Sequence, residues 1–469
     1  MTKRTPQYTI MLGTGQQNAW KRVPRGQQYL QSFDHYLRVA QESERAGVHG
    51  LLLADGLSLD GIRQVPRGFE PLTLLAALAV RTSRIALIPT VSTTFNEPYN
   101  VARAINSLDN LSGGRIGVNL VTSFTGEENF GGTLPRPSDR YARAREFTEV
   151  LRKLWTSWEQ DAVIEDVEAG LYFRPGSVAP INHVGEHFSV EGPLNVPRSP
   201  QGIPAIGAAG SSDLGRQFAA EVAEFVYAAQ PSKRIAKDYF DDLRNRAREL
   251  RADGTRPTVL TGVIPIIGET RRQARELAAQ LREPSDFDAG RHRVEQLLGG
   301  IDLSGLARTD KIDPATIPPP DDIIRRQGRY EIFKGLAVDE GYSLEELVDF
   351  VTNTSGHWTV IGTVDDVVAE FAERFDSELT DGFNVWPTHY PEGLDTITQR
   401  LLPELERAGY FTPLPDEPRT FRDLFTTREP HATPHADFGL PRPRSGRKTV
   451  STISSMVSSD GGRSVKRTS

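Results

Sequence analysis

Cysteine is absent from the 469 residues of this chain, which excludes disulfides, thiolate metal sites and a cysteine nucleophile together. No apolar run is long enough to span a bilayer. No hydrophobic targeting segment follows Met1, because Thr2 to Tyr8 is polar and leads straight into a strand-like run. An excess of positive charge is missing too, and a formal net charge of −7 argues against general nucleic-acid affinity. Several catalytic signatures are equally lacking. No G-x-G-x-x-G follows the first apolar run, no serine nucleophile elbow occurs, and no inward pair of acids suggests glycoside hydrolysis. His183 and His187 form an HxxxH, but in an irregular stretch without a carboxylate at ligand spacing, so no metal is expected there.

What is present is a globular composition, 38% hydrophobic and 25% charged, enough for a sizeable core. A chain of this length holds two or three average domains, or one α/β barrel with insertions. Short apolar runs recur near 8–12, 50–55, 85–93, 116–122, 204–210, 225–229, 259–267 and 382–387. Each precedes a segment of helical periodicity, and most are apolar throughout, as for parallel strands buried on both faces. Eight βα units predict an α/β fold, a TIM (β/α)8 barrel over 1–414, with a doubly wound sheet as the alternative. Two Gly-, Pro- or charge-rich stretches, about 159–203 and 284–344, read as insertions, the first with a small hairpin around His187–Val190 and the second as a lid. Beyond 414 the chain loses apolar periodicity, and from 441 it carries seven Lys/Arg against Asp460 alone. Residues 415–469 are therefore expected to form a disordered tail.

The polar residues gather where strands end. They are Asp55 after the second strand; Thr90, Ser92, Thr93 and Thr94 on the third; Asn119, Thr122 and Ser123 on the fourth; and Gly210, Ser211 and Ser212 after the fifth. In a barrel these ends converge on one pocket. At 202–223, GIPAIGAAGSSDLGRQFAAEVA, a strand passes directly into a helix through small residues and hydroxyls. Such a junction aims backbone N–H groups and the positive end of the helix dipole at one spot, which suits a phosphate. The plain alternative is an ordinary serine N-cap. Neutral hydrogen-bonding groups around such a helix start suit a flat cofactor that performs the chemistry itself. From the residues alone the reading stops at a barrel with a phosphorylated ligand.

Longer segments carry a resemblance. FEPLTLLAALAVRTSRIALIPTVSTTFNEPYNVAR (69–103), SLDNLSGGRIGVNLVTS (107–123), NFGG (129–132), DRYARAREFTEVLRKLWTSWEQDA (139–162) and HFSVEGPLNVPRSPQGIPAIGAAGSSDLGRQFAAEVAE (187–224) resemble the bacterial luciferase superfamily over about 8–410. The branch is that of nitrilotriacetate, pristinamycin and dibenzothiophene-sulfone monooxygenases. The resemblance implies a two-component monooxygenase that uses reduced FMN and O2, through a flavin C4a-peroxide, to oxygenate a small organic substrate. It also implies a separate NAD(P)H:flavin oxidoreductase and a homodimer, while composition and charge suit a cytoplasmic enzyme with neither nucleic acid nor membrane as partner.

By the same resemblance Asp55, Thr93 and Asn119 surround the flavin ring, Tyr141 and Ser211, with Ser212 beside it, hold its phosphate, and Thr122 and Gly210 are further cofactor-binding candidates. Each has a plainer reading: a helix cap for Asp55, a β-branched strand residue for Thr93, a helix-face aromatic for Tyr141. Leu12, Trp20 and Phe95 are candidates to wall the pocket, and His357 and His389 to handle protons. Two positions depart from the family pattern: Pro137 stands where a histidine is usual, and Gln16 and Gln17 replace the Gly-His that often follows the first strand. Two rival readings remain at this stage, a deazaflavin-dependent oxidoreductase on the same barrel and a non-catalytic flavin-binding relative.

Overall fold

The structure is a computed structural model that describes residues 5–15, 19–23, 29–59, 68–281, 287–354 and 356–425. Nine parallel strands form its main sheet: β1 (Gln7–Met11), β2 (Gly50–Leu53), β3 (Ala86–Ser92), β4 (Gly117–Val121), β5 (Ala205–Ala209), β6 (Phe225–Ala228), β7 (Thr258–Ile267), β8 (Trp358–Gly362) and β9 (Gly382–Val385). Eight of them close a ring in the order β1-β2-β3-β4-β5-β6-β7-β9. The seam is made by β7, which pairs Phe225 with Thr258 on one side and Leu260 with Gly382 on the other, and by β9, whose Gly382 faces Gln7 of β1. These are the eight runs read as strands, and the fold is a TIM barrel. The ninth, β8, lies outside the ring. With ten residues β7 is the longest strand. Its first half closes the barrel, and its second half rises past the rim and pairs with β8, Val263 opposite Trp358.

Helices return the chain between strands: α1 (Phe33–Arg45), α2 (Pro71–Ala79), α3 (Pro98–Ser112), α4 (Pro137–Trp155), α5 (Asp213–Val222), α6 (Lys233–Leu250) and α7 (Arg271–Leu281). Their starts are written in the sequence. Glu70 accepts the Leu72 and Thr73 amides at the head of α2, and Ser212 accepts the Gly215 amide at the head of α5, each satisfying orphan donors of a first turn. Pro137 occupies the first turn of α4, where its missing N–H costs nothing and its fixed φ suits the helix.

Side chains alternate across each strand. Leu51, Leu53, Leu87, Val91, Val118, Leu120, Ile206 and Val226 point outward into the large core beneath the helices. Inward residues are layered. Near the strand starts Leu52, Ala86, Ala205, Phe225 and Leu260 fill the barrel. Higher up the inward positions become polar: Asn119 Nδ2 donates to Thr90 Oγ1 at 3.0 Å, and Asn384 Nδ2 to Thr9 Oγ1 at 2.6 Å.

The expectation that the chain leaves the barrel at 414 is corrected over 415–425. The short helix Phe421–Phe425 closes the barrel floor, with Phe421 and Phe425 buried and stacked at 4.5 Å. Gly117 is required beneath it, since a Cβ there would lie 2.4 Å from the Phe421 ring. Arg422 adds a pair of bonds to Glu224, at 2.6 and 2.7 Å. Two apolar rings and one paired arginine suffice for docking without any long periodic pattern. The rest of the expected tail, 426–469, lies outside the described residues.

Both insertions exist. In 159–203, Val163–Asp166 pairs with Leu171–Phe173, and His183–Val184 with Ser189–Val190, each antiparallel. His183 is structural there: Lys153 Nζ donates to its Nδ1 at 3.0 Å, and its Nε2 meets Glu146 at 3.1 Å. The second insertion carries α8 (Phe287–Leu297), α9 (Gln327–Lys334) and α10 (Leu344–Thr354), which share a core of Val294, Leu298, Tyr330, Phe333 and Leu347. Helix α11 (Val364–Asp376) and the helical stretch from Glu392 to Arg407 complete the outer layer.

Candidate active site

The turn from β5 into α5 lies at the carboxyl rim. Gly210 ends the strand, its carbonyl accepts the Tyr239 hydroxyl at 3.2 Å, and the Ser211 carbonyl accepts Arg216 Nη1 at 2.7 Å. Carbonyls tied back in this way leave the amide side of the turn facing the mouth. Burial, the largest influence on Tyr239, raises its pKa and keeps the hydroxyl a donor.

Tyr141 comes to the same turn from α4, far away in sequence. Its ring is buried against Phe218 at 5.8 Å. A Cβ on Gly210 would stand 3.3 Å from its hydroxyl oxygen, and one on Gly215 2.9 Å from it and 3.1 Å from Ser212 Oγ. Tyr141 therefore packs against the turn at the head of α5 that carries Gly210, Ser211 and Ser212, the glycines giving its hydroxyl room to approach. A third side comes from the insertion. A Cβ on Gly328, in the first turn of α9, would lie 3.0 Å from Ser211 N and 3.3 Å from Ser212 N. Three residues on, the Glu331 carboxylate, its pKa raised chiefly by burial, accepts the Asp213 amide at 3.3 Å.

The candidate ring residues sit on the neighbouring strand ends. Asn119 is buried on the inward face of β4; its Nδ2 is engaged by Thr90, and its Oδ1 is buried without a partner. Thr93 is fully buried, and its amide and hydroxyl both reach the Val121 carbonyl, at 2.8 and 3.2 Å. Thr122 follows β4, with its carbonyl accepting Thr94 Oγ1 at 2.5 Å. Asp55 follows β2 and accepts the Gly56 amide at 2.8 Å. Of the candidate wall residues, Leu12 is in the core, Trp20 packs against it, and Phe95 stacks on Phe130 at 4.6 Å. Gln16 and Gln17 lie outside the described residues.

His357 and His389 have different surroundings. His389 is buried beside Thr388 under the loop after β1, where a Cβ on Gly15 would meet its Cα at 3.3 Å, and burial lowers its pKa first of all. His357 is buried just before β8. Its ring nitrogens lie 3.2 and 3.1 Å from the Tyr227 hydroxyl, and its ring centroid is 4.8 Å from that of Trp386. Arg329 Nη2 donates to His357 Nε2 at 3.1 Å. Since a guanidinium only donates, Nε2 is the acceptor and the ring proton resides on Nδ1. Gly262 makes room for this group, because a Cβ there would stand 2.8 Å from Tyr227 Oη and 2.9 Å from His357 Nδ1. Tyr227, Gly328, Arg329 and Trp386 were not legible as site residues. The one available signal was the RRQGR run at 325–329 inside an insertion.

A family model described as luciferase-like monooxygenase matches residues 12–377. The N-acetyl-S-(2-succino)cysteine monooxygenase of Bacillus subtilis (strain 168) is 34% identical over 444 residues, 92% of this chain and 99% of that protein. The nitrilotriacetate monooxygenase component A of Aminobacter aminovorans is 37% identical over 401 residues, 80% of this chain and 86% of its own. Among solved structures, the EDTA monooxygenase from Chelativorans sp. BNC1 superposes with a TM-score of 0.71 at 31% identity, covering 90% of this chain and 98% of that one. With the barrel, the rim turn and these matches in agreement, this chain belongs to the luciferase-like monooxygenase family.

Proposed function

We propose that this protein is the oxygenase component of a two-component flavin-dependent monooxygenase. It takes reduced FMN from a separate NAD(P)H:flavin oxidoreductase and, with O2, oxygenates a small organic molecule. The observation that carries this reading is the meeting of Tyr141 with the Gly210–Gly215 turn at the head of α5.

The residues fit a flavin mononucleotide on three counts. Glycines at 210, 215 and 328 keep side-chain bulk away from the turn, where a Cβ would crowd Tyr141 Oη or the Ser211–Ser212 amides. Its donors are hydroxyls and amides at a helix start, the chemistry a phosphate monoester needs. Deeper in the mouth, the unpartnered Asn119 Oδ1 can accept a ring N–H. Tyr141, Ser211 and Ser212 would hold the phosphate, and Asp55, Thr93, Asn119 and Thr122 would surround the ring. When bound, reduced FMN supplies the electrons for O2 activation, so that one oxygen atom enters the substrate and the other leaves as water.

The chain's own part is to bind, orient and exclude water. We assign Met11, Trp386 and the Phe95–Phe130 stack to the apolar walls that limit water at the flavin. His357, with its proton on Nδ1 beside the Tyr227 hydroxyl, is the group placed to pass a proton. We assign the enzyme to the cytoplasm, where reduced nicotinamide is available to a reductase; no helix among the described residues is long and apolar enough to cross a membrane. We also assign it a homodimer, supported by the exposed apolar residues Val163, Ile164, Tyr172 and Phe173 of the first hairpin.

Anaerobic titration with reduced FMN, followed by admission of labelled dioxygen, tests the reading. Saturable binding and one labelled oxygen per product are expected. Failure to bind reduced FMN, or turnover without oxygen, overturns it.

A further inference from the structure

Helix α9 lies across the head of α5, and two residues on one of its faces make the contact. Gly328 and Glu331 are three apart and so share that face. Gly328 rests on the Ser211–Ser212 backbone, where a Cβ would stand 3.0 Å from Ser211 N and 3.3 Å from Ser212 N. Among the described residues neither of these amides donates to a protein acceptor. Glu331 reaches the next amide, its Oε1 accepting Asp213 N at 3.3 Å. A carboxylate from the insertion thus stands where the free donors and the dipole of a helix start favour an anion. Its hold is loose. Arg216 lies 3.5 Å from Glu331 but 2.6 Å from Asp242, and it also serves the Ser211 carbonyl. Arg246 is taken by Asp213 and Asp242. Two cations therefore meet three acids, and Glu331, the least closely paired of the three, carries the surplus negative charge.

We propose that Glu331 competes with the flavin phosphate for the head of α5, so that FMN binds only by displacing this carboxylate and the first turn of α9 with it. This rests on the flavin-dependent reading above and assigns the residue that sets its affinity for the phosphate. Phosphate oxygens on the Ser211, Ser212 and Asp213 amides need the space that Gly328 and Glu331 hold, and two anions at one helix start repel. The competition suits a flavin that arrives from one protein and must leave again. The helix head keeps an anion at all times, and the grip on FMN is loosened enough for exchange. Riboflavin, which has no phosphate, meets no such competitor.

The test uses the full-length protein. Anaerobic titrations compare reduced FMN with reduced riboflavin for the parent, Glu331→Gln and Glu331→Ala, and hydrogen exchange across α9 is followed in the same solutions. Both variants are expected to bind FMN at least about fivefold more tightly than the parent, with riboflavin affinity unchanged, which also shows that they are folded. Loss of a merely structural contact gives no such gain. In the parent FMN should speed exchange across 327–334, and in Glu331→Ala exchange there should be fast before any ligand is added. The proposal is overturned if the variants bind FMN no tighter than the parent, if riboflavin gains as much as FMN, or if FMN leaves α9 exchange in the parent unchanged or slower. Should neither flavin bind any of the three proteins, inorganic phosphate decides. Faster α9 exchange with phosphate in the parent would sustain the competition and overturn the flavin reading alone, and unchanged exchange would overturn both.

Discussion

Tyr141 and Gly215 face each other so closely that a single added methyl group at 215 would sit 2.9 Å from the tyrosine oxygen. The residues belong to different helices and serve as two walls of one cradle. Alanine at 215 should favour the α5 backbone by up to about 0.5–1 kcal/mol relative to glycine, but its Cβ would press on Tyr141 Oη, on Ser212 Oγ at 3.1 Å and on the Gly210 carbonyl carbon at 3.3 Å. Gly215→Ala is therefore expected to melt close to the parent yet bind FMN at least about tenfold more weakly, because it crowds the turn proposed to hold the phosphate. Tyr141→Phe, which removes one hydrogen bond worth about 1 kcal/mol, should cost roughly five- to tenfold in the same fluorescence titration.

Asn119 carries a buried oxygen without a partner, a debt of about 1–3 kcal/mol in the unliganded protein. Asn119→Ala, which removes the unpartnered oxygen together with the Nδ2 bond to Thr90 Oγ1, should fold about as stably without flavin. It should also lose most of the rise in melting temperature that FMN confers on the parent. Thermal scans with and without FMN measure both halves. A variant that melts lower and retains the flavin-induced rise would refute this account.

At the barrel floor, His49 Nδ1 accepts the Tyr8 amide at 2.9 Å and its Nε2 donates to the Thr412 carbonyl at 3.0 Å. Burial lowers its pKa from 6.5 to about 4. The unfolded chain therefore takes up the proton first, and stability is complete above pH 6.5 and declines as pH falls toward 4. The loss across that window is about 3 kcal/mol at most. Urea titrations at neutral and acid pH should show His49→Gln less stable than the parent at neutral pH, with the gap closing in acid.

The closure of the floor by Phe421–Phe425 gives a fourth expectation. Phe421→Ala should cost about 3–5 kcal/mol, and truncation after Leu414 should destabilise the barrel more than truncation after Phe425. Denaturant midpoints of the three proteins settle the order.

The eight ring strands were readable because most are buried on both faces, leaving unbroken apolar runs bounded by glycine and polar residues. Strand β8 was not, since its residues alternate in burial and its only sheet partner is the overhanging half of β7. The floor helix escaped because FRDLF contributes just two docking rings amid polar neighbours, too few for a period. At the site, the serine turn was visible as a local pattern, whereas the approach of Tyr141 depends on how α4 packs against α5. The partnership of Arg329 with His357 joins an insertion to the segment before an extra-ring strand, and no local pattern encodes such a pairing.

Gly328, in the first turn of α9, rests on the Ser211–Ser212 backbone so closely that a Cβ there would stand 3.0 Å from Ser211 N. The insertion and the β5–α5 turn are thus in direct backbone contact, and a change of side-chain size at 328 has to be answered by a shift of one of the two segments.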